Sequence, residues 1–198
     1  MEQTHYLVPQ QNAGSEKDIT HSAEGRSVED AEDWFVDGKE RLLDVNNWER
    51  YAQGLPVAFH LADGHGKPLN RRARRGDHIR IDASGGNMEE GSFDWATIEA
   101  MEYDDYPDDS IETFAIRLRP AAHPQYSDTA ALLQGSDASG TFVIARRGKK
   151  IFATYHGRNE LALIPAGPHG ADDTDEVPAC WLGLSDDQWT DLMKGLLK

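Results

Sequence analysis

One stretch, Ser27 to Asp63, constrains the chain most. It reads SVEDAEDWFVDGKERLLDVNNWERYAQGLPVAFHLAD and joins an amphipathic helix to an apolar strand. Val28, Ala31, Phe35, Leu42 and Val45 step by three and four, with Gly38 filling the gap, so they share one face of a 3.6-residue period. Trp34, Leu43 and Trp48 widen that stripe. Ser27 is placed as an N-cap, and Glu29, Asp30, Glu32 and Asp33 put negative charge at the positive end of the helix dipole. Gly38 costs roughly 1 kcal/mol of helix propensity relative to Ala. On a buried stripe it predicts close approach of another backbone, or a kink. Asn46 and Asn47 break the run and cap a second short helix carrying Trp48 and Tyr51, which Gly54 and Pro56 end. A helix of this kind needs a sheet to cover.

The rest of the chain supplies one. Val57 to Ala62 reads as a strand, with a turn at Asp63-Gly64. Leu69 to Ala73 fits a return strand or a loop. His78 to Asp82 alternates with its isoleucines on one side, and Phe93 to Tyr103 alternates until Glu99–Met101, where a slip predicts a bulge. Thr113 to Arg119 sets Phe114, Ile116 and Leu118 against Thr113, Ala115, Arg117 and Arg119. Thr141 to Ala145 and Lys150 to Tyr155 form a hairpin turning at Arg147-Gly148-Lys149. Thr129 to Gln134 reads as a helical turn, and Gly157 to Leu184 mostly as loop. Ser185 opens a last helix with a capping box to Gln188 and an apolar face of Trp189, Leu192, Met193 and Leu196. Residues 1–26 are polar and lack a period, which predicts a disordered or extended tail before a single domain at 27–198.

Helices at both ends of a run of short strands, without strand–helix alternation, define an α+β class built on a curved antiparallel sheet. Two architectures satisfy that order. In one, Gly76 to Leu118 rolls into a small SH3-like or OB-like β-barrel flanked by the N-terminal and C-terminal helices. In the other, a wider sheet wraps the C-terminal helix, as in the helix-grip fold of START and polyketide-cyclase-like proteins, and encloses a cavity. At GDHIRID, FDWATIE, HGRNE and LSDDQWTDLMKGLL the chain resembles a family of uncharacterised bacterial proteins of about this length, from roughly Trp34 onward. The resemblance implies no activity, cofactor or site residue.

Charge and motifs narrow the function. Against 20 basic residues the chain has 35 acidic ones, a formal charge of -15, which disfavours nucleic acid and anionic membrane as partners. A single cysteine, Cys180, between Ala179 and Trp181, excludes an internal disulfide and reads as a buried thiol. No apolar run spans a bilayer and no signal peptide is evident, so a cytoplasmic location is expected. No nucleotide-binding loop, nucleophile elbow or zinc-protease motif occurs. His60, His65 and His78 match no metal spacing, and no metal or cofactor is expected.

The candidate binding residues come from three places. His156-Gly157-Arg158-Asn159-Glu160 follows a strand and precedes the long loop. There Arg158 can hold a carboxylate or phosphate, and His156 with Glu160 can form an acid–base pair. Arg72 and Arg75 belong to a basic run, NRRARRGDHIR, suited to an anion or to pairing with the surplus acids. Trp95 is an aromatic for a pocket wall. Arg146, Arg147, Lys149 and Lys150 read as a solvated hairpin tip. The readings left open are a non-enzymatic binding or interaction domain, a small-molecule-binding or cyclase-like protein with a cavity between sheet and helix, and a hydrolase using His156 and Glu160. The partner is a small molecule or a protein.

Overall fold

The structure is a computed structural model that describes residues 5–55, 57–83, 94–125, 137–160 and 184–198. Cys180, Thr129–Gln134 and most of Gly157–Leu184 lie outside these residues. In chain order the elements are β1 (Ser15–Glu24), α1 (Val28–Leu43), a 3-10 turn (Val45–Asn47), α2 (Trp48–Tyr51), β2 (Val57–Ala62), β3 (His78–Ala83), β4 (Asp94–Tyr106), β5 (Ile111–Ala121), β6 (Ser139–Arg147), β7 (Lys150–Glu160) and α3 (Asp186–Leu196).

The seven strands form one sheet in the order β1-β7-β6-β5-β4-β3-β2, and every neighbouring pair is antiparallel. β2 to β7 form a meander, and β1 returns to pair with the last strand. The helices between β1 and β2 lie against one face of the sheet, beside α3. This is the wider sheet with a gripped C-terminal helix. Gly76–Leu118 does not roll into a barrel of its own; it supplies β3, β4 and most of β5 to the common sheet. No helix among the described residues is long and apolar enough to cross a membrane.

The first 26 residues are not simply a tail. Ser15–Glu24 pairs with β7, Ile19 opposite Tyr155 and Ala23 opposite Ile151. Only Ile19 and Ala23 of this strand pack on the main core, so its sequence carries almost no apolar alternation. The backbone ladder to a strand more than a hundred residues away makes it a strand. For the same reason β7 runs through His156 to Glu160 instead of giving way to loop after Tyr155. Leu69–Ala73 is loop: β2 pairs with β3, and only Ala62 and Pro68 make an isolated bridge.

Local signals capped α1 and α3 as read, whereas α2 has Asn47 at its N-cap with no side-chain cap bond, because Asn46 bonds the Leu61 and Leu69 backbones and Asn47 bonds Asp44. Ser27 Oγ accepts from Asp30 N–H at 3.1 Å. Ser185 Oγ accepts from Gln188 N–H while Gln188 Oε1 accepts from Ser185 N–H at 2.7 Å, a complete capping box. The Gly38 expectation resolves as close approach: a Cβ there would stand 3.3 Å from the Leu196 carbonyl oxygen and from Ile144 Cγ2. The main core joins Phe35, Leu42 and Trp48 to Phe59, Ile79, Ile98, Ile116, Phe142, Ile144 and Tyr155 of the sheet and to Trp189, Leu192, Met193 and Leu196 of α3. Trp189 stacks on Tyr155, with ring centroids 3.8 Å apart and planes at 10°. Trp48 packs against Phe142 at 5.1 Å and donates its indole N–H to Leu42 O at 3.1 Å. These aromatics pack against one another between the sheet and α3. The bulge appears between Ile98 and Ala100, as the alternation slip predicts.

Candidate functional site

The outer face of the sheet, away from the helices, carries polar chemistry. A smaller apolar cluster sits there: Leu7, Ala100, Ala115 and Val143, with Ala145 beside them. Leu7 belongs to residues 5–14, which cross this face before β1. Arg117 Nη1 donates to Leu7 O at 2.9 Å, His5 Nε2 lies 3.4 Å from Asp104 Oδ2, and Tyr6 stacks on His5.

Asn159 holds the other end of this segment. Its Oδ1 accepts from Asn12 N–H at 2.7 Å and Ala13 N–H at 3.1 Å, and its Nδ2 donates to Gln10 O at 3.1 Å. Its backbone N–H donates to Gln11 Oε1 at 2.8 Å. Asn159 takes φ 56°, a left-handed conformation that asparagine tolerates. The β1–β7 register shifts here, and the kink swings the next side chain to the helix-facing side.

That next side chain is Glu160. It is fully buried, and Tyr155 donates its hydroxyl to Glu160 Oε1 at 2.9 Å. Burial pushes its carboxyl up to about 7, against the lowering by Tyr155, Lys17 and Arg158. Gly157 makes the room, since a Cβ there would overlap Glu160 Oε1.

His156 points the other way. Its Nδ1 lies 2.6 Å from Asp18 Oδ1, an oxygen that also pairs with Arg158 Nη2 at 2.7 Å. Arg158 Nη1 donates to Lys17 O at 3.1 Å and Gly157 O at 2.7 Å. Burial works against the Asp18 carboxylate, yet hydrogen bonds from His156 and Arg158 prevail and hold its pKa below the usual carboxylate value. His156 and Glu160 therefore act on opposite faces with different partners, and the expected acid–base pair between them does not form.

Along this face runs a cleft of about 280 Å³ lined by His5, Asp18, Thr20, Thr113, Val143, Ala145, Arg147, Phe152, Thr154 and His156. Thr20 and Thr154 share a hydrogen bond across β1 and β7 at 3.1 Å. A second cleft of about 330 Å³ lies by β2 and β3, between Asn46, His60, Leu69 and Arg80. Its polar groups are engaged: Arg80 binds Asp82 through two nitrogens at 2.9 Å, and Asn46 bonds the Leu61 and Leu69 backbones.

The remaining candidates lie elsewhere. Arg72 pairs with Glu40 at 3.0 Å and Asp44 at 2.9 Å, pinning its loop to α1. Arg75 donates to Glu99 O at 3.0 Å, at the bulge of β4. The basic run is thus absorbed largely by neighbouring acids, with Arg71 bidentate on Asp77. Trp95 is on the outer face, but on β4, with β5 and β6 between it and β7; it meets His123 edge-on at 5.0 Å. Of the hairpin-tip cations, Arg146 is no solvated group: it is buried and bonds Glu112 at 2.8 Å.

The sequence reading missed Asp18, Thr20 and His5. The available signal was slight, a β-branched pair Ile19-Thr20 within an alternating polar stretch.

The chain matches no protein-family model and no curated protein sequence. Among solved structures it is similar to a truncated norcoclaurine synthase from Thalictrum flavum, at 12% identity and a TM-score of 0.34, covering 76% of this chain and 81% of that one. A TM-score that low bears no argument; the architecture described above rests on this chain's own strand order and helix packing.

Proposed function

We propose that the chain is a small-molecule-binding protein whose ligand lies in the cleft on the outer face of the sheet. One observation carries this reading. The cleft combines an apolar floor, Val143, Ala145 and Phe152, with polar groups already fixed in place, the Asp18–His156 pair and the Thr20–Thr154 pair. Apolar walls with a few oriented polar groups are what small-molecule sites share. His5 adds an edge to the cleft, so a segment resembling a tail in the sequence contributes to the proposed site.

The test begins with native mass spectrometry of freshly purified protein, before and after denaturation, followed by a fragment screen read in amide NMR spectra. The expected result is a set of shifts confined to Thr20, Val143, Phe152, Thr154 and His156, with any co-purified mass lost on denaturation. Fragments that bind only elsewhere, or none that bind at millimolar concentration, would overturn the reading.

A further inference from the structure

Val143 and Ala145 line the cleft and also pack against Leu7, together with Ala100 and Ala115. Ala100, Ala115 and Ala145 stand on three adjacent strands, β4, β5 and β6, so their short side chains leave a hollow in the outer face. Leu7 fills that hollow and is only 7% exposed. Its carbonyl oxygen accepts from Arg117 Nη1 at 2.9 Å, while Arg117 Nε donates to Glu99 at 2.6 Å.

Thr141 stands opposite Arg117 in the β5–β6 register and, two residues from Val143, faces the same side. It is fully buried, and its hydroxyl has no hydrogen-bond partner among the described residues. A buried hydroxyl left unpaired costs free energy, and Leu7 does not relieve it. The hollow therefore sets two donors, a guanidinium and a hydroxyl, beside an apolar floor.

The occupant is also detachable. Residues 5–8 close on themselves: Leu7 N–H donates to His5 Nδ1 at 3.1 Å, and Val8 N–H to His5 O at 2.9 Å. Asn159 grips residues 10–13 separately. The turn at 5–8 can leave the sheet with its own bonds intact.

Resting on the reading of the cleft as a ligand site, we propose that Leu7 is a built-in stand-in for the ligand, a branched apolar acyl compound. The ligand's alkyl end replaces the Leu7 side chain over Ala100, Ala115 and Val143. Its carbonyl oxygen accepts from Arg117 and Thr141, and residues 5–8 swing off the face.

Two probes with one carbon skeleton test this on the full chain: 4-methylpentanamide, and protonated 4-methylpentylamine, which lacks an acceptor. In NMR titrations the amide should shift Ala115, Val143 and Ala145 and bind at least tenfold tighter than the amine, the scale of one hydrogen bond to a charged group. Amide hydrogen exchange at Val8 should rise on binding, while Asn12 and Ala13 stay protected. Leu7→Gly, which removes the competing side chain, should bind the amide tenfold tighter or more. Thr141→Val should weaken the amide and leave the amine unchanged. The two probes and the exchange at Val8 on the unaltered chain need neither variant to fold. If amide and amine bind the face equally, or Val8 stays protected when the amide binds, the stand-in proposal falls while the cleft remains a ligand site. If neither these probes nor the fragment screen perturbs the cleft, the ligand-site reading falls with it.

Discussion

Glu160 is the residue whose environment conflicts most with its charge. A carboxylate without solvent is costly, and burial raises its pKa from 4.5 to about 7 despite the Tyr155 hydroxyl. The folded chain therefore holds a proton on Glu160 that the unfolded chain has released. Stability from this group is fully present below pH 4.5, declines as pH rises, and is gone above about pH 7. The span corresponds to about 3 kcal/mol. Glu160→Gln, which keeps a hydrogen-bonding partner for Tyr155 without the charge, should remove this slope and be the more stable protein at pH 8. Urea denaturation at a series of pH values checks it; parallel pH profiles for the two proteins would show that Glu160 is not the group responsible. Neighbouring Asn159 illustrates a different limit of sequence reading. It was a candidate ligand contact, and its side chain instead serves the backbone of residues 10–13.

At the scale of elements, α3 shows how a short helix near the end of the described chain is stabilised. Its capping box satisfies free N–H groups at one end, and Lys17 of β1 pairs with Asp186 in its first turn. Ser185→Ala should cost about 1 kcal/mol, read as a lower denaturation midpoint at unchanged slope. Its far end packs so closely on α2 that a Cβ at Gly195 would overlap the Tyr51 carbonyl oxygen. Gly195→Ala, which raises intrinsic helix propensity, should nevertheless destabilise the protein by about 1–3 kcal/mol. A stabilised variant in thermal denaturation would show that α2 and α3 do not pack as described. The capping box was legible because it is a four-residue pattern. The Gly195 contact was not, because its partner lies far away in sequence.

For the whole molecule, the decisive contact is the return of β1 to β7. Without it, Tyr155 and Ile151 lose their edge neighbours Ile19 and Ala23, and the Asp18–His156–Arg158 cluster loses its carboxylate. Deleting residues 1–26 should therefore abolish a single cooperative unfolding transition and the near-ultraviolet signal of the packed tryptophans, measured by circular dichroism. A native-like transition in the shortened chain would restore the view of this region as a tail.

The sequence by itself determined the elements whose physics is local: α1 with its apolar stripe, the Ser27 and Ser185 caps, the β6–β7 hairpin and the alternation that divides β5 between two faces. It also determined the α+β class, because helices bracket a run of strands without alternating with them. Tertiary structure decided the rest. Whether the strands closed into a barrel or spread around α3 depended on pairings between distant segments. Polar Ser15–Glu24 became a strand through hydrogen bonds that carry no side-chain signature. The candidate site followed from that pairing, since Asp18 meets His156 only across the β1–β7 ladder, while a kink at Asn159 turns Glu160 to the opposite face.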